Sequence, residues 1–283
     1  MKIRLTTLTM ALGIFASLFA EKTVQASENS VENLPLFQQA KKSDERRYQF
    51  AIDHGASVHL TPNGKSFYVL YLPPDAKADT PFIFTLHGHA GNAFNEIFLW
   101  QSECAKRGIG IIALQWWFGG GEKMDDYYSP KQISEIMETV LADNKVAEHR
   151  VLLHGFSRGS ANIYGVTAFE KAAKPGQKDY VLLTVANAGK ASPDFPVNKD
   201  IEKGVFGAAP FANTHWVTFG GALDPHPDRD GLAGMREAQV WVKKYGGTID
   251  LAIEDAKSDH GGFHRNKENM KAALDVFEKL LKK

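Results

Sequence analysis

Two rhythms of hydrophobic and polar residues alternate along most of this chain. Short, mostly apolar runs are followed by longer stretches in which apolar residues recur every three or four positions. The runs FIFTLHG (82–88), IGIIALQWW (109–117), RVLLHGF (150–156), YVLLTVANAG (180–189), HWVTFGGAL (215–223) and GTIDLAIEDAK (247–257) predict strands. Segments 95–108, 130–144, 160–174 and 232–246 predict helices. So does the closing NKENMKAALDVFEKLLKK, where Met270, Ala273, Leu274, Phe277 and Leu281 share one face. Apolar strands joined by helices need cover on both faces, which implies an α/β fold with a mostly parallel central sheet. Upstream, ASVHL and SFYVLYLPP flank the turn Thr61-Pro62-Asn63-Gly64-Lys65. Asn-Gly between apolar runs predicts a hairpin, hence antiparallel strands at one sheet edge. Residues 27–55 are polar and mixed, with one short helix near Leu34 to Lys41, and form an N-terminal extension to a domain over 56–283. The loop-rich stretch 190–214 is too short for a large lid, so a small cap or none is expected.

Composition narrows this picture in three ways. Lys+Arg and Asp+Glu both number 33, so the formal net charge is zero, which offers nucleic acid or an anionic membrane no electrostatic handle. The first 26 residues, MKIRLTTLTMALGIFASLFAEKTVQA, place Lys2 and Arg4 before an apolar stretch from Leu5 to Ala20 and end in small residues around Ala26. This predicts a signal peptide over 1–26 and an exported protein, periplasmic or extracellular, without a membrane span after cleavage. An uncleaved anchor is the competing reading, although the apolar part falls short of the roughly 20 residues a span needs. The single cysteine, Cys104, leaves no intramolecular disulfide and reads as a small core residue in a helix.

Parallel sheets bind ligands beyond the carboxyl ends of their strands, so the residues there are the candidates for chemistry. Strand 150–156 runs into Gly155-Phe156-Ser157-Arg158-Gly159. A serine on a sharp strand-to-helix turn is a nucleophile candidate, and glycines two positions away on either side avoid a collision at such a turn. Strand 215–223 ends at Asp224, with Asp228 as the rival carboxylate to orient a base. Strand 247–257 is followed by His260, the candidate general base, with His264 as its rival. An oxyanion needs two donors. The backbone N–H groups of Arg158 and His89 are the candidates, Ala90 being the neighbouring choice. His87 and His89 also offer a His-x-His metal pair, but the further ligands of a metal motif are missing nearby, so no metal is assigned. Trp116, Trp117 and Phe118, with Tyr127 and Tyr128, lie on the same side of the sheet as candidates for an aromatic or sugar-stacking substrate pocket. Plain packing of the loop is the alternative.

LHGHAG (86–91), GFSRGS (155–160), GGALDP (220–225) and DHGGF (259–263) together resemble the α/β-hydrolase superfamily over residues 57–283. Within it the chain is similar to secreted carboxylesterases of the polyhydroxybutyrate-depolymerase and feruloyl-esterase type, departing from them at Arg158-Gly159-Ser160. The resemblance implies an ester hydrolase with Ser157, Asp224 and His260 as its triad, a small-molecule or polymer ester as substrate, and no cofactor. A serine peptidase, an inactive hydrolase-fold binding protein and a metal hydrolase are the competing functions.

Overall fold

The computed structural model describes residues 30–172, 176–192 and 195–283. The segment 1–26 read as a signal peptide lies outside them. Eight strands form one sheet in the order β1-β2-β4-β3-β5-β6-β7-β8. They are β1 (Ser57–Leu60), β2 (Phe67–Tyr71), β3 (Phe82–Leu86), β4 (Gly110–Leu114), β5 (Val151–Phe156), β6 (Val181–Asn187), β7 (His215–Gly221) and β8 (Thr248–Asp255). The first two are antiparallel to their neighbours, Ser57 lying opposite Leu70 and Tyr68 opposite Leu114. All later pairs are parallel. The hairpin turn forms as its Asn-Gly signal demands, with Gly64 at φ 68°, where side chains are disfavoured.

Helices cover both faces, because the inner strands are apolar on both. One face carries α4 (Pro130–Asp143), α5 (Arg158–Lys171) and α7 (Leu232–Lys244), whose Ile133, Ile163 and Met235 pack with Phe84, Leu114 and Leu153. The opposite face carries α3 (Ala93–Arg107) and α9 (Lys267–Leu280), whose Phe94, Trp100, Leu274 and Phe277 pack with Ile83, Leu152 and Val217. Strand β8 alternates in exposure, as a sheet edge does, and its acidic residues blunt that edge. No described helix is long and apolar enough to cross a membrane.

Three elements differ from the sequence expectations. The extension holds two helices, α1 (Pro35–Ser43) and α2 (Glu45–Asp53). The second mixes charged residues with Tyr48, Phe50, Ala51 and Ile52; Asp44 caps it by accepting from the Arg47 N–H, and Tyr48 packs edge-on against Phe94 at 5.2 Å. Both helices join the core through Phe37, Ala40 and Ala51. The loop 190–214 contains a short helix, α6 (Pro196–Glu202), opened by Pro196 and anchored by buried Ile201. Glycines disfavour helix, and Gly261-Gly262 follow His260 directly, yet a single turn, α8 (Gly262–Arg265), begins there.

Candidate active site

Ser157 sits at the junction of β5 and α5 with φ 53° and ψ −116°, a conformation that costs a residue with a side chain on the order of 1–3 kcal/mol. Its N–H donates to the Asn187 carbonyl at 2.8 Å, which pins the turn to the end of β6. The two flanking glycines have separate reasons. A Cβ on Gly155 would come within 2.5 Å of the Gly159 backbone, and one on Gly159 within 2.5 Å of the Leu86 carbonyl oxygen. The turn is sharp only because both are bare.

Three of the side chains singled out in the sequence meet in one hydrogen-bonded line. Ser157 Oγ lies 2.8 Å from His260 Nε2, and His260 Nδ1 lies 2.7 Å from Asp224 Oδ2. The carboxylate can only accept, so Nδ1 carries a proton and Nε2 faces the serine. Asp224 is buried, and its other oxygen accepts the His226 N–H at 2.8 Å. The rivals fall away. Asp228 is exposed. His264 turns inward, 5.4 Å from the Trp100 ring, and burial pushes its imidazole down to about 3.

Arg158 is the first residue of α5, so its N–H has no acceptor within the helix and opens beside Ser157. His89 lies across a groove of about 450 Å³ whose walls also include Ser157 and Arg158; Ala90 is not among them. The loop carrying His89 is held from below. His87 donates from Nδ1 to the Gly88 carbonyl at 2.8 Å, and Trp116 donates from Nε1 to the His87 carbonyl at 3.0 Å. Burial pushes the His87 imidazole down to about 4, keeping it neutral. His89 turns the other way, to the Tyr127 hydroxyl and Glu122. Among the described residues, the His and carboxylate groups close enough to share an ion are Glu96–His154–His264 and Asp224–Asp230–His260, and His87 and His89 belong to neither.

No family model matches the sequence, and no curated protein matches it. Solved structures do match. A hyperthermophilic esterase from the archaeon Pyrobaculum calidifontis aligns with a TM-score of 0.60 at 14% identity, over 87% of this chain and 92% of that one. Est1E from Butyrivibrio proteoclasticus aligns at 0.56 and 12% identity, over 81% of this chain and all (100%) of its own. Thermogutta terrifontis esterase 2, phosphoramylated by tabun, aligns at 0.56 and 17%, over 80% and 94%. This chain has the α/β-hydrolase fold.

On the α/β-hydrolase sheet, the aromatic residues after β4 divide. Trp116, Tyr127 and Tyr128 line a slot of about 190 Å³ together with Arg158, Asn162 and Phe195. Trp117 and Phe118 line neither that slot nor the groove. Trp117 donates to the Gly121 carbonyl at 2.9 Å, and Phe118 packs edge-on to Tyr128 at 4.8 Å against the core, so both act as loop packing. A wider cavity of about 600 Å³ opens on the other side of His260, over Leu99, Phe156 and Arg265.

Two parts of the site escaped sequence reasoning. Asp230 is buried near Asp224 and His260, its charge met by Arg229 at 2.6 Å. Beneath the elbow, the Thr85 hydroxyl donates to Glu96 at 2.6 Å, so the Thr85 oxygen accepts from His154 Nδ1 at 2.8 Å. His154 Nε2 meets the Asn187 amide at 3.2 Å, and the Asn187 backbone carbonyl holds Ser157. Burial acts to raise the Glu96 carboxyl, but His154, His264 and Thr85 together outweigh it and hold it down at about 2. The sequence signal was a Glu and a His inside otherwise apolar segments, NEIFLW and VLLHGF.

Proposed function

We propose that this protein is an exported serine hydrolase that cleaves carboxylic esters through an acyl-enzyme. The observation that carries the proposal is the unbroken line Ser157–His260–Asp224 on a strained strand-to-helix turn, in a fold shared with esterases. His260 takes the Ser157 proton as the oxygen attacks the ester carbonyl carbon. Asp224 holds the imidazole in the required tautomer and balances the imidazolium. The backbone N–H groups of Arg158 and His89 receive the oxyanion. His260 then protonates the departing alkoxide, leaving the acyl group on Ser157. Water, deprotonated by His260, repeats the cycle and releases the acid. Each step uses groups of this chain, and none calls on a cofactor.

A fluorophosphonate probe tests the nucleophile. Wild type should label on Ser157 and Ser157→Ala should not, with kcat falling on the order of 10⁶-fold in the variant. Labelling that persists in Ser157→Ala would refute the assignment. Comparing p-nitrophenyl acetate with aminoacyl p-nitroanilides separates esterase from peptidase, anilide preference overturning the esterase reading. The pattern of residues 1–26 supports export; a mature chain beginning at Ser27, read by mass spectrometry of the secreted or periplasmic fraction, checks it.

A further inference from the structure

We infer that the groove beside Ser157 takes an ester bearing a second, free carboxylate, which the Arg158 guanidinium holds. This deepens the esterase reading and rests on it. Three cations line the groove: Arg158, Lys190 and Arg229. Two are already balanced, Lys190 by Glu237 at 2.5 Å and Arg229 by Asp230 at 2.6 Å. Arg158 has no carboxylate within 4.0 Å among the described residues; the nearby Glu122 carboxylate faces His89 at 3.2 Å instead.

What Arg158 does touch is neutral. Its Nη1 donates to the Tyr127 hydroxyl at 2.7 Å and to the Glu122 backbone carbonyl at 3.3 Å, and its guanidinium lies 5.0 Å from the centre of the Tyr127 ring. Tyr127 is itself fixed by His89. These contacts orient the planar fork without neutralising it. Nε and Nη2 meet no acceptor among the described residues. A guanidinium never loses its charge, and its paired donors match a carboxylate. Held rigid on the wall of a concave site, next to the residue whose hydroxyl attacks the ester, it distinguishes an anionic ester from a neutral one of the same length.

Matched ester pairs test this. The p-nitrophenyl half-ester of glutaric acid against p-nitrophenyl valerate puts the charge on the acyl side. 4-Acetoxybenzoate against 4-acetoxybenzamide puts it on the alcohol side. In one pair the anionic member should be favoured roughly 10- to 100-fold in kcat/KM, chiefly through KM. That preference should shrink as salt is added. The same ratio should collapse in Arg158→Gln and survive in part in Arg158→Lys. The ratio cancels any general loss from disturbing the start of α5, which a purely structural Arg158 would produce in both members alike. No preference in either pair, or a ratio unchanged in Arg158→Gln, overturns the inference.

Calorimetric titration of glutaramate, which has one free carboxylate, and glutaramide, which has none, into Ser157→Ala separates this from the failure of the esterase reading. Binding of glutaramate but not glutaramide, lost when Arg158→Gln is added, supports the carboxylate site even if no ester is turned over. Absence of glutaramate binding at millimolar concentration removes it.

Discussion

Asp224 and Asp228 look alike in the sequence, four residues apart on one acidic loop; burial separates them. Asp224 is 5% exposed and bonded to His260, whereas Asp228 is exposed. Asp224→Asn should therefore lower kcat about 10⁴-fold through loss of the required tautomer, at nearly unchanged Tm. Asp228→Asn should leave kcat within a few-fold. Steady-state kinetics on p-nitrophenyl acetate decides, and equal losses in both variants would count against Asp224 as the orienting carboxylate. The elbow is the residue-scale feature most legible in the sequence. Gly155, Ser157 and Gly159 constrain one another within a single turn, so their spacing alone carries the information. The long charged side chain of Arg158 beside the serine stands out in the sequence; its fixed orientation does not, because the Tyr127 hydroxyl and the Glu122 carbonyl that hold it lie more than 30 residues away in the chain.

At the scale of elements, the inner strands and the long helices follow the hydrophobic pattern to within a few residues, because each buries a continuous or periodic apolar face. The two N-terminal helices did not show themselves as part of the core. Phe37 is nonetheless fully buried, with its ring 5.6 Å from Phe67 and 6.2 Å from Phe94. Phe37→Ala should cost about 3–5 kcal/mol, seen as a lower urea midpoint with an unchanged slope. A variant as stable as wild type would mean that the extension is an appendage after all. The sequence reading failed there because the few apolar residues of α2 lie among charged ones, and what stabilises it is its Asp44 cap and the docking of Tyr48 and Phe50 on Phe94 and Phe98 of α3.

For the whole molecule, buried titratable groups set the dependence of stability on pH. Burial lowers His87 from 6.5 to about 4 and His264 from 6.5 to about 3. Below pH 6.5 the unfolded chain binds protons at these sites that the native protein refuses. Their stabilisation is complete above pH 6.5 and is lost as pH falls, on the order of 2 kcal/mol per histidine by pH 5. Glu170 has the opposite sign. Burial raises its carboxyl from 4.5 to about 7, so stability is lost as pH rises through that window. Two histidines outweigh one carboxylate, and Tm should climb from pH 4.5 to 6.5. Glu170→Gln, which still accepts the Tyr180 N–H that Glu170 takes at 3.0 Å, should raise stability at pH 8 by up to about 3 kcal/mol and do nothing at pH 4. Scanning calorimetry across this range checks both trends, and a uniform gain at every pH would rule out the titration.

By itself, the sequence determined the order of strands and helices, the hairpin, the glycine-flanked serine and the pool of acids and histidines after the strands. All of these are local, written in periodicity and in steric demands across a few residues. Which acid and which histidine join Ser157 was decided by the tertiary structure. So were the burial of His154 and Glu96 beneath the elbow and the Arg158 fork on the groove wall. Those outcomes depend on groups far apart in the chain being desolvated together, and no pattern along the sequence records which groups share a neighbourhood.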